Sequence, residues 1–348
     1  MKNTPQRPKG RSTAANPLGR FETLEVVPEE APVDRVPTLY LRDDSRSIVA
    51  RNESPDVPFN ASINPYRGCE HGCIYCFARP FHEYLGFSAG LDFETRILVK
   101  ESAPELLAKE LSSTRWKPQV LAMSGATDPY QPIERKLQLT RKCLEVLATF
   151  LNPVGVITKN ALVSRDIDYL GVLAQHQTVT VLLSITTLDG ELARTMEPRT
   201  SHPRDRLLTL EKLARAGIPC GVSLAPVIPG LNDHEIPAIL EAAADAGATY
   251  AHWLMLRLPG AVETLFADWL QKCYPDRSAK VLNRIRDIRG GRLNESQFGK
   301  RMRGTGVFVE QIRGLFSSAC TRYGLATQAP DLSVAAFRRP SGDQLDLF

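Results

Sequence analysis

Between Asp92 and Leu256, short apolar runs alternate with longer stretches of helical character, and few folds accommodate that order. Asp92–Lys100, Gln119–Met123, Val154–Thr158, Val179–Ile185, Ile218–Leu224 and Tyr250–Leu256 read as strands. Glu101–Leu111, Glu134–Leu151, Ser164–Ala174, Arg204–Ala216 and Asp233–Ala246 read as helices. In the longest of these, Leu137, Leu144, Leu147 and Phe150 recur near helical spacing. Gly217 and Gly247 follow two of the helices as C-terminal glycines. Strands that alternate with helices pair in parallel and carry the helices outside the sheet. The order therefore predicts an α/β fold, a partial (β/α)6-type barrel. A doubly wound open sheet uses the same alternation, because strand order is not written in a sequence. In a barrel, the groups that do chemistry sit in the loops at the C-terminal ends of the strands.

The stretch Asn64–Cys76 (Asn-Pro-Tyr-Arg-Gly-Cys-Glu-His-Gly-Cys-Ile-Tyr-Cys) carries three of the seven cysteines, Cys69, Cys73 and Cys76. Gly68 and Gly72 favour a tight loop, since glycine adopts positive φ at no steric cost. Three thiols on one short loop indicate a metal site. Zinc is a candidate, but a structural zinc takes four N or S ligands, usually as two separated pairs. Here Cys143, Cys220, Cys273 and Cys320 each stand alone in the sequence. Three thiolates without a fourth suit an iron–sulfur cluster. One iron is then left open, and chemistry would occur there.

No apolar run approaches the roughly 20 residues that span a bilayer. The basic N-terminal stretch, rich in Pro, Ser, Thr and Asn, lacks the apolar core of a secretory signal. An odd number of unevenly spaced cysteines does not describe a disulfide framework. A soluble cytoplasmic protein with no membrane association is expected. Residues 1–35 read as a mobile basic tail, 36–60 as a lead-in, and 61–260 as the core with its cysteine loop. Residues 261–325 read as a helical extension, through Val262–Cys273, Ser278–Ile288 and Val307–Tyr323, and 326–348 as a loose C-terminal tail. Between Asp276 and Arg303 nine Lys or Arg stand against three acids, a local net of +6 in a chain whose total is +4. Such a stretch is either a solvated helix face or, through residues 277–303, a patch for a phosphate-bearing substrate or nucleic acid.

The cysteine spacing, with Tyr75 just before the last thiol, resembles the signature of the radical S-adenosylmethionine (radical SAM) superfamily. More narrowly, Asn64–Cys69, Thr127–Glu134, Thr158–Asn160 and Ala225–Asp233 resemble the branch named for spore photoproduct lyase and often labelled "DNA repair photolyase". His82–Gly86 and Arg301–Gly304 resemble an uncharacterised bacterial subgroup of it. The resemblance covers about residues 60–325. It implies a radical SAM barrel with a [4Fe–4S] cluster on Cys69, Cys73 and Cys76. S-Adenosylmethionine (SAM) would chelate the fourth iron through its amino and carboxylate groups. Reduction, by a donor such as flavodoxin or ferredoxin, would then give methionine and a 5′-deoxyadenosyl radical that takes a hydrogen atom from substrate.

The same resemblance implies cofactor-binding roles. Ser124 and Gly125 would meet the methionine end, Lys159 a carboxylate, and Ser184 the cofactor from the fourth strand. Glu197 and Arg199 are candidates for ribose hydroxyls and a carboxylate, or for pairing with each other. Tyr75 is a candidate for shielding the cluster or stacking near adenine. Asp128 and Glu134 are placed to orient substrate or cap a helix, and His82 and Glu83 for proton transfer. No catalytic residue is assigned. Spore photoproduct lyases return a hydrogen atom from a cysteine in the loop after the second strand, but Met123–Asp128 contains none. Cys143 is expected in the core and Cys220 as a buried thiol, so thymine-dimer reversal by that route is not expected. The competing reading is a non-catalytic iron–sulfur or nucleic-acid-binding module.

Overall fold

The computed structural model describes residues 7–13, 16–21 and 36–340. Its strands are β1 (Leu39–Arg42), β2 (Val49–Arg51), β3 (Ala61–Ile63), β4 (Tyr66–Arg67), β5 (Arg96–Val99), β6 (Leu121–Met123), β7 (Val154–Thr158), β8 (Val179–Ser184), β9 (Cys220–Val227) and β10 (Tyr250–Met255). The main sheet runs β10-β9-β8-β7-β6-β3-β2. From β3 to β10 its six neighbouring strands are parallel, and β2 is antiparallel at the edge. The order rises with the sequence and never reverses, so the switch point of a doubly wound sheet is absent. Among the described residues β10 does not pair with β2, and the barrel is partial.

The strand sequences account for the layering. Val154 and Val156 of β7 and Val179, Val181 and Leu183 of β8 are fully buried against helical residues such as Leu107, Leu144, Leu170, Leu210 and Leu240. Each such side chain contributes about 1.5–3 kcal/mol of apolar burial. Alternate residues point the opposite way, and Ser62, Gly155, Ile157 and Leu182 on that concave face are only half-buried. The concave face is thus an open cavity, with the C-terminal strand ends at one rim.

Several expectations are corrected. Asp92–Lys100 divides into a short helix, Leu91–Thr95, and β5, which joins β1 and β4 in a separate three-stranded sheet. The first barrel strand is instead β3. The expected helix Glu134–Leu151 breaks at Gln138, whose φ is 55°, into Glu134–Leu137 and Leu139–Phe150. The cause is Glu134: its buried carboxylate turns back to accept from Thr140 N (3.0 Å) and Arg141 N (3.2 Å), capping the second segment.

Nor are the described parts of the tails loose. Arg11 and Ser12 are buried; Arg11 Nη1 donates to Glu94 O (2.8 Å) and Ser12 Oγ to Glu94 Oε1 (2.6 Å). Residues 1–6, 14–15 and 22–35 lie outside the described residues. Ala326 bridges the free edge of β10, accepting from Ala251 N at 2.8 Å, and Phe337 stacks on Phe150. Residues 341–348 also lie outside the described residues.

The C-terminal helices take two places. Val307–Tyr323 joins the main core through Val309, Ile312 and Phe316. Val262–Cys273 and Pro275–Ile288 share a second core with Cys73, Ile74 and Tyr75 of the cysteine loop. Among the described residues no helix is long and apolar enough to cross a membrane.

Candidate active site

The loop after β3 holds Cys69 and Cys73 buried and Cys76 half-buried, all as free thiols. Arg79, itself fully buried, sets the path of that loop. Its Nε donates to Cys73 O (3.0 Å), Nη1 to Ala89 O (3.2 Å) and Gly90 O (3.0 Å), and Nη2 to Gly72 O (3.0 Å) and Glu94 Oε1 (2.7 Å). Ser12 Oγ accepts from the same Nη2 at 2.8 Å. Five donors in one rigid fork suit this task, which a lysine could not perform. Gly72 has φ +64°, and a Cβ there would lie 2.7 Å from Glu94 Oε2. Gly72→Ala is expected to destabilise by at least about 1–2 kcal/mol, the cost of the left-handed backbone before the clash is counted. The urea midpoint would show it.

His71, between the first two thiols, ties the loop to the end of β7. Its Nδ1 lies 3.4 Å from Asp128 Oδ2 and its Nε2 lies 3.1 Å from Asn160 Nδ2. Asp128 also accepts from Thr158 Oγ1 (2.7 Å) and Lys159 N (2.8 Å). Burial disfavours a charged His71, but Asp128 and then Cys69 outweigh it and raise the imidazole to about 10. Asp128 is therefore a bracing residue, and Glu134 a helix cap. Neither presents a free carboxylate to substrate.

A second network fills the mouth. Glu197 is buried and accepts from the Tyr75 hydroxyl, from Thr186 Oγ1 (2.6 Å) and from Arg206 Nη2 (2.5 Å). Lys159 Nζ stands 3.6 Å from Glu197 Oε1, donates to Ala225 O at 3.1 Å, and lies 5.6 Å from the centre of the Tyr75 ring. Burial would raise the Glu197 carboxyl, yet Arg206 foremost, and then Lys159, hold it well below the usual range. One carboxylate thus faces two cations, and the network carries one positive charge in excess. Arg206 also donates to Ser184 O at 2.8 Å. Ser184 pairs in register with Ser223, and Ser223 with His252, so a polar row crosses the cavity near its rim. At the end of β6, Ser124 Oγ donates to Thr127 O (3.3 Å), and Gly125, at φ +110°, is exposed.

Glu197 and Arg199 do not pair. Arg199 Nη1 lies 3.1 Å from Glu70 Oε1, in a separate network where buried Glu70 also accepts from Ile133 N (2.9 Å) and Tyr40 Oη (3.1 Å). His82 and Glu83 do not act together either. Burial lowers His82 to about 4, its ring packs by Phe87 and Phe93, and Glu83 pairs with Arg20. Cys220 Sγ faces Leu210 O (3.7 Å) and Gly247 O (3.8 Å), on the helix side of the sheet, and Cys143 is in the main core. Sequence reasoning missed Arg79, Glu94, Glu70 and Arg206. No local pattern marks them, because each is defined by partners distant in the chain.

Three free cysteine thiols on one short loop are a donor set that suits an iron–sulfur cluster. Among the described residues no three His, Cys, Asp or Glu side chains gather closely enough to hold one metal ion. Three free thiols in two buried positions and one half-buried, beside a network of excess positive charge, suit a larger anionic group. The sequence profile of the radical SAM superfamily matches residues 63–243, and the chain belongs to that superfamily. An uncharacterized protein of Mycobacterium tuberculosis is 36% identical over 244 residues, 69% of this chain and 71% of that one. An uncharacterized protein of Methanocaldococcus jannaschii is 28% identical over 222 residues, 64% of this chain and 79% of its own. Among solved structures, spore photoproduct lyase complexed with dinucleoside spore photoproduct superposes with a TM-score of 0.60 at 15% identity. The match covers 83% of this chain and 81% of that one, and it shows a shared fold. Superfamily membership supports enzymatic activity and implies SAM and a [4Fe–4S] cluster as cofactors.

Proposed function

We propose that this protein holds a [4Fe–4S] cluster on Cys69, Cys73 and Cys76 and uses it to cleave SAM reductively, at the expense of an external one-electron donor of the flavodoxin or ferredoxin class. The observation that carries the reading is the unbalanced cation at the mouth: Lys159 and Arg206 share the single carboxylate of Glu197. A buried surplus charge is costly without a partner, and a ligand carboxylate beside the thiol loop would supply one. A cluster held by Cys69, Cys73 and Cys76 would supply the one-electron reduction that opens a sulfonium C–S bond of SAM to methionine and a 5′-deoxyadenosyl radical.

The chain's residues bind and orient. Arg206 fixes Glu197, Glu197 places Lys159 and Tyr75, and Lys159 receives the carboxylate of the methionine moiety. Ser124 and Gly125 offer backbone without side-chain bulk to the same end, and Ser184 lines the cavity below. The oxygens of Glu197 are already engaged, so it serves as an anchor rather than a ribose ligand; Arg199 is likewise engaged by Glu70. The substrate reading is a nucleic acid or nucleotide, supported by the basic segment.

Lys159→Met is expected to weaken SAM binding by about 10–100-fold, the value of a charge-assisted hydrogen bond of roughly 1.5–3 kcal/mol. Calorimetric titration of the reconstituted protein measures it, and an unchanged affinity removes Lys159 from the site. Electron paramagnetic resonance tests the reading as a whole. SAM should alter the spectrum of the reduced cluster, whereas a cluster with four protein ligands would not respond.

A further inference from the structure

The basic segment does not act as one surface. Arg284 pairs with Asp233 and covers Phe308, and Arg286 bonds Asn283 within its own helix. Arg289 and Arg301 lie instead beside Arg257, two residues beyond β10 at the rim that carries the cysteine loop.

The Arg257 guanidinium lies 5.3 Å from the centre of the Phe77 ring, and Phe77 directly follows Cys76. Its Nη1 donates to Met302 Sδ at 3.4 Å, but its Nε is buried with no hydrogen-bond partner among the described residues. Arg289 is 3% exposed. It donates to Lys300 O (3.0 Å) and Leu256 O (2.6 Å), and its Nε is likewise buried and unpartnered among the described residues. Arg301 is held by Asp56 and by Ser54 Oγ (2.6 Å), and its guanidinium lies 4.3 Å from the centre of the Phe298 ring. Arg303 is exposed, and its charge bears on His252 of the polar row.

The carboxylates that act on this group are Asp56 and Glu295. Asp56 is already engaged by Arg301, and Glu295, half-buried, accepts from Gln297 N at 2.8 Å. Burial first, and then Arg301, lowers Arg257; burial and then Arg257 lower Arg289 to about 10. Like charges packed with orphaned donors destabilise the protein. A structural role gives no reason to hold three guanidiniums together around so little negative charge. A phosphate does, because its oxygens match the arginine fork and accept from several donors at once.

We propose that Arg257 and Arg301, backed by Arg289, bind a phosphate group of the substrate at the rim next to the thiol loop. Phe77 and Phe298, 41% and 54% exposed, flank the group as aromatic faces on which bases can stack. The site takes the phosphodiester of a single-stranded nucleic acid, and this assignment rests on the nucleic-acid reading of the proposed function.

The test is fluorescence anisotropy of a fluorescein-labelled single-stranded DNA oligomer with the reconstituted protein, without reductant or SAM. Arg257→Gln and Arg301→Gln are each expected to weaken binding by about 10-fold or more. The slope of log affinity against log salt should become shallower by about 0.7 for each phosphate left unneutralised. Lys212→Gln, on an outer helix, should stay within about twofold, the range of a surface change. Circular dichroism checks that each variant is folded, and either arginine variant suffices if the other is not. Failure of inorganic phosphate to displace the oligomer supports a polymer's phosphodiester. Displacement by phosphate at equal concentration overturns the polymer and assigns the site to a small phosphorylated molecule. Unchanged affinity and slope in a folded arginine variant overturn the phosphate site altogether. Because the assay needs no radical chemistry, failure of SAM cleavage would count against the proposed function and leave this result standing.

Discussion

Arg79→Ala is expected to cost the protein about 3–5 kcal/mol, the usual effect of removing one partner from a buried ion pair. The groups that remain behind set that cost. Glu94 would stay buried as a carboxylate with its guanidinium gone, and the carbonyls of Gly72, Cys73, Ala89 and Gly90 would be deprived of a donor wholly or in part. Two of those carbonyls belong to the thiol loop itself, so stability and iron content should fall together. Arg79→Lys should rescue little, because an ammonium cannot reach these acceptors from one position. Urea unfolding and iron analysis measure both effects. A loss below about 1 kcal/mol, the range of an exposed pair, would mean that the loop is shaped by something other than Arg79.

Cys73→Ala is expected to do the opposite: spare the fold and remove the cluster. The side chain is small and shares its core with Ile74, Tyr75 and Met196, which remain in place. Truncation should therefore change the stability of the metal-free protein by no more than about 1 kcal/mol, near the centre of ordinary point substitutions. With one thiolate of three missing, iron per chain should collapse, together with the absorbance and magnetic signature of the cluster. Loss of both fold and iron would assign Cys73 a packing role instead. The contrast between the two variants separates the residues that ligate from the residue that shapes the loop.

What can be read from the sequence follows from what is local. The apolar runs of β7, β8, β9 and β10 each span enough residues to show their period, and the thiols of Asn64–Cys76 lie on one loop. β3, with three residues, shows no period, and so the first barrel strand falls at the edge of a stretch that reads as a lead-in. The break at Gln138 follows from Glu134, whose other partners, Tyr66 (2.5 Å) and Arg165 (2.8 Å), are far away in the chain. Composition suggests disorder in the N-terminal segment because it has few apolar residues. Arg11 and Ser12 are instead anchored by polar bonds to Glu94, which hydrophobicity does not register. Lys159 and Glu197 are visible as separate candidates, but their association through Arg206 and Tyr75 exists only once β7 and β8 lie side by side. The same holds for the arginine group, where Arg257 joins residues from a different segment.

If three thiolates leave one site of a cluster open to SAM at the mouth of this barrel, the anaerobically reconstituted, reduced protein supplied with SAM forms 5′-deoxyadenosine and methionine together. Both products should fall to background in Cys73→Ala. A fully reconstituted cluster that neither binds SAM nor yields 5′-deoxyadenosine would contradict an open cluster site.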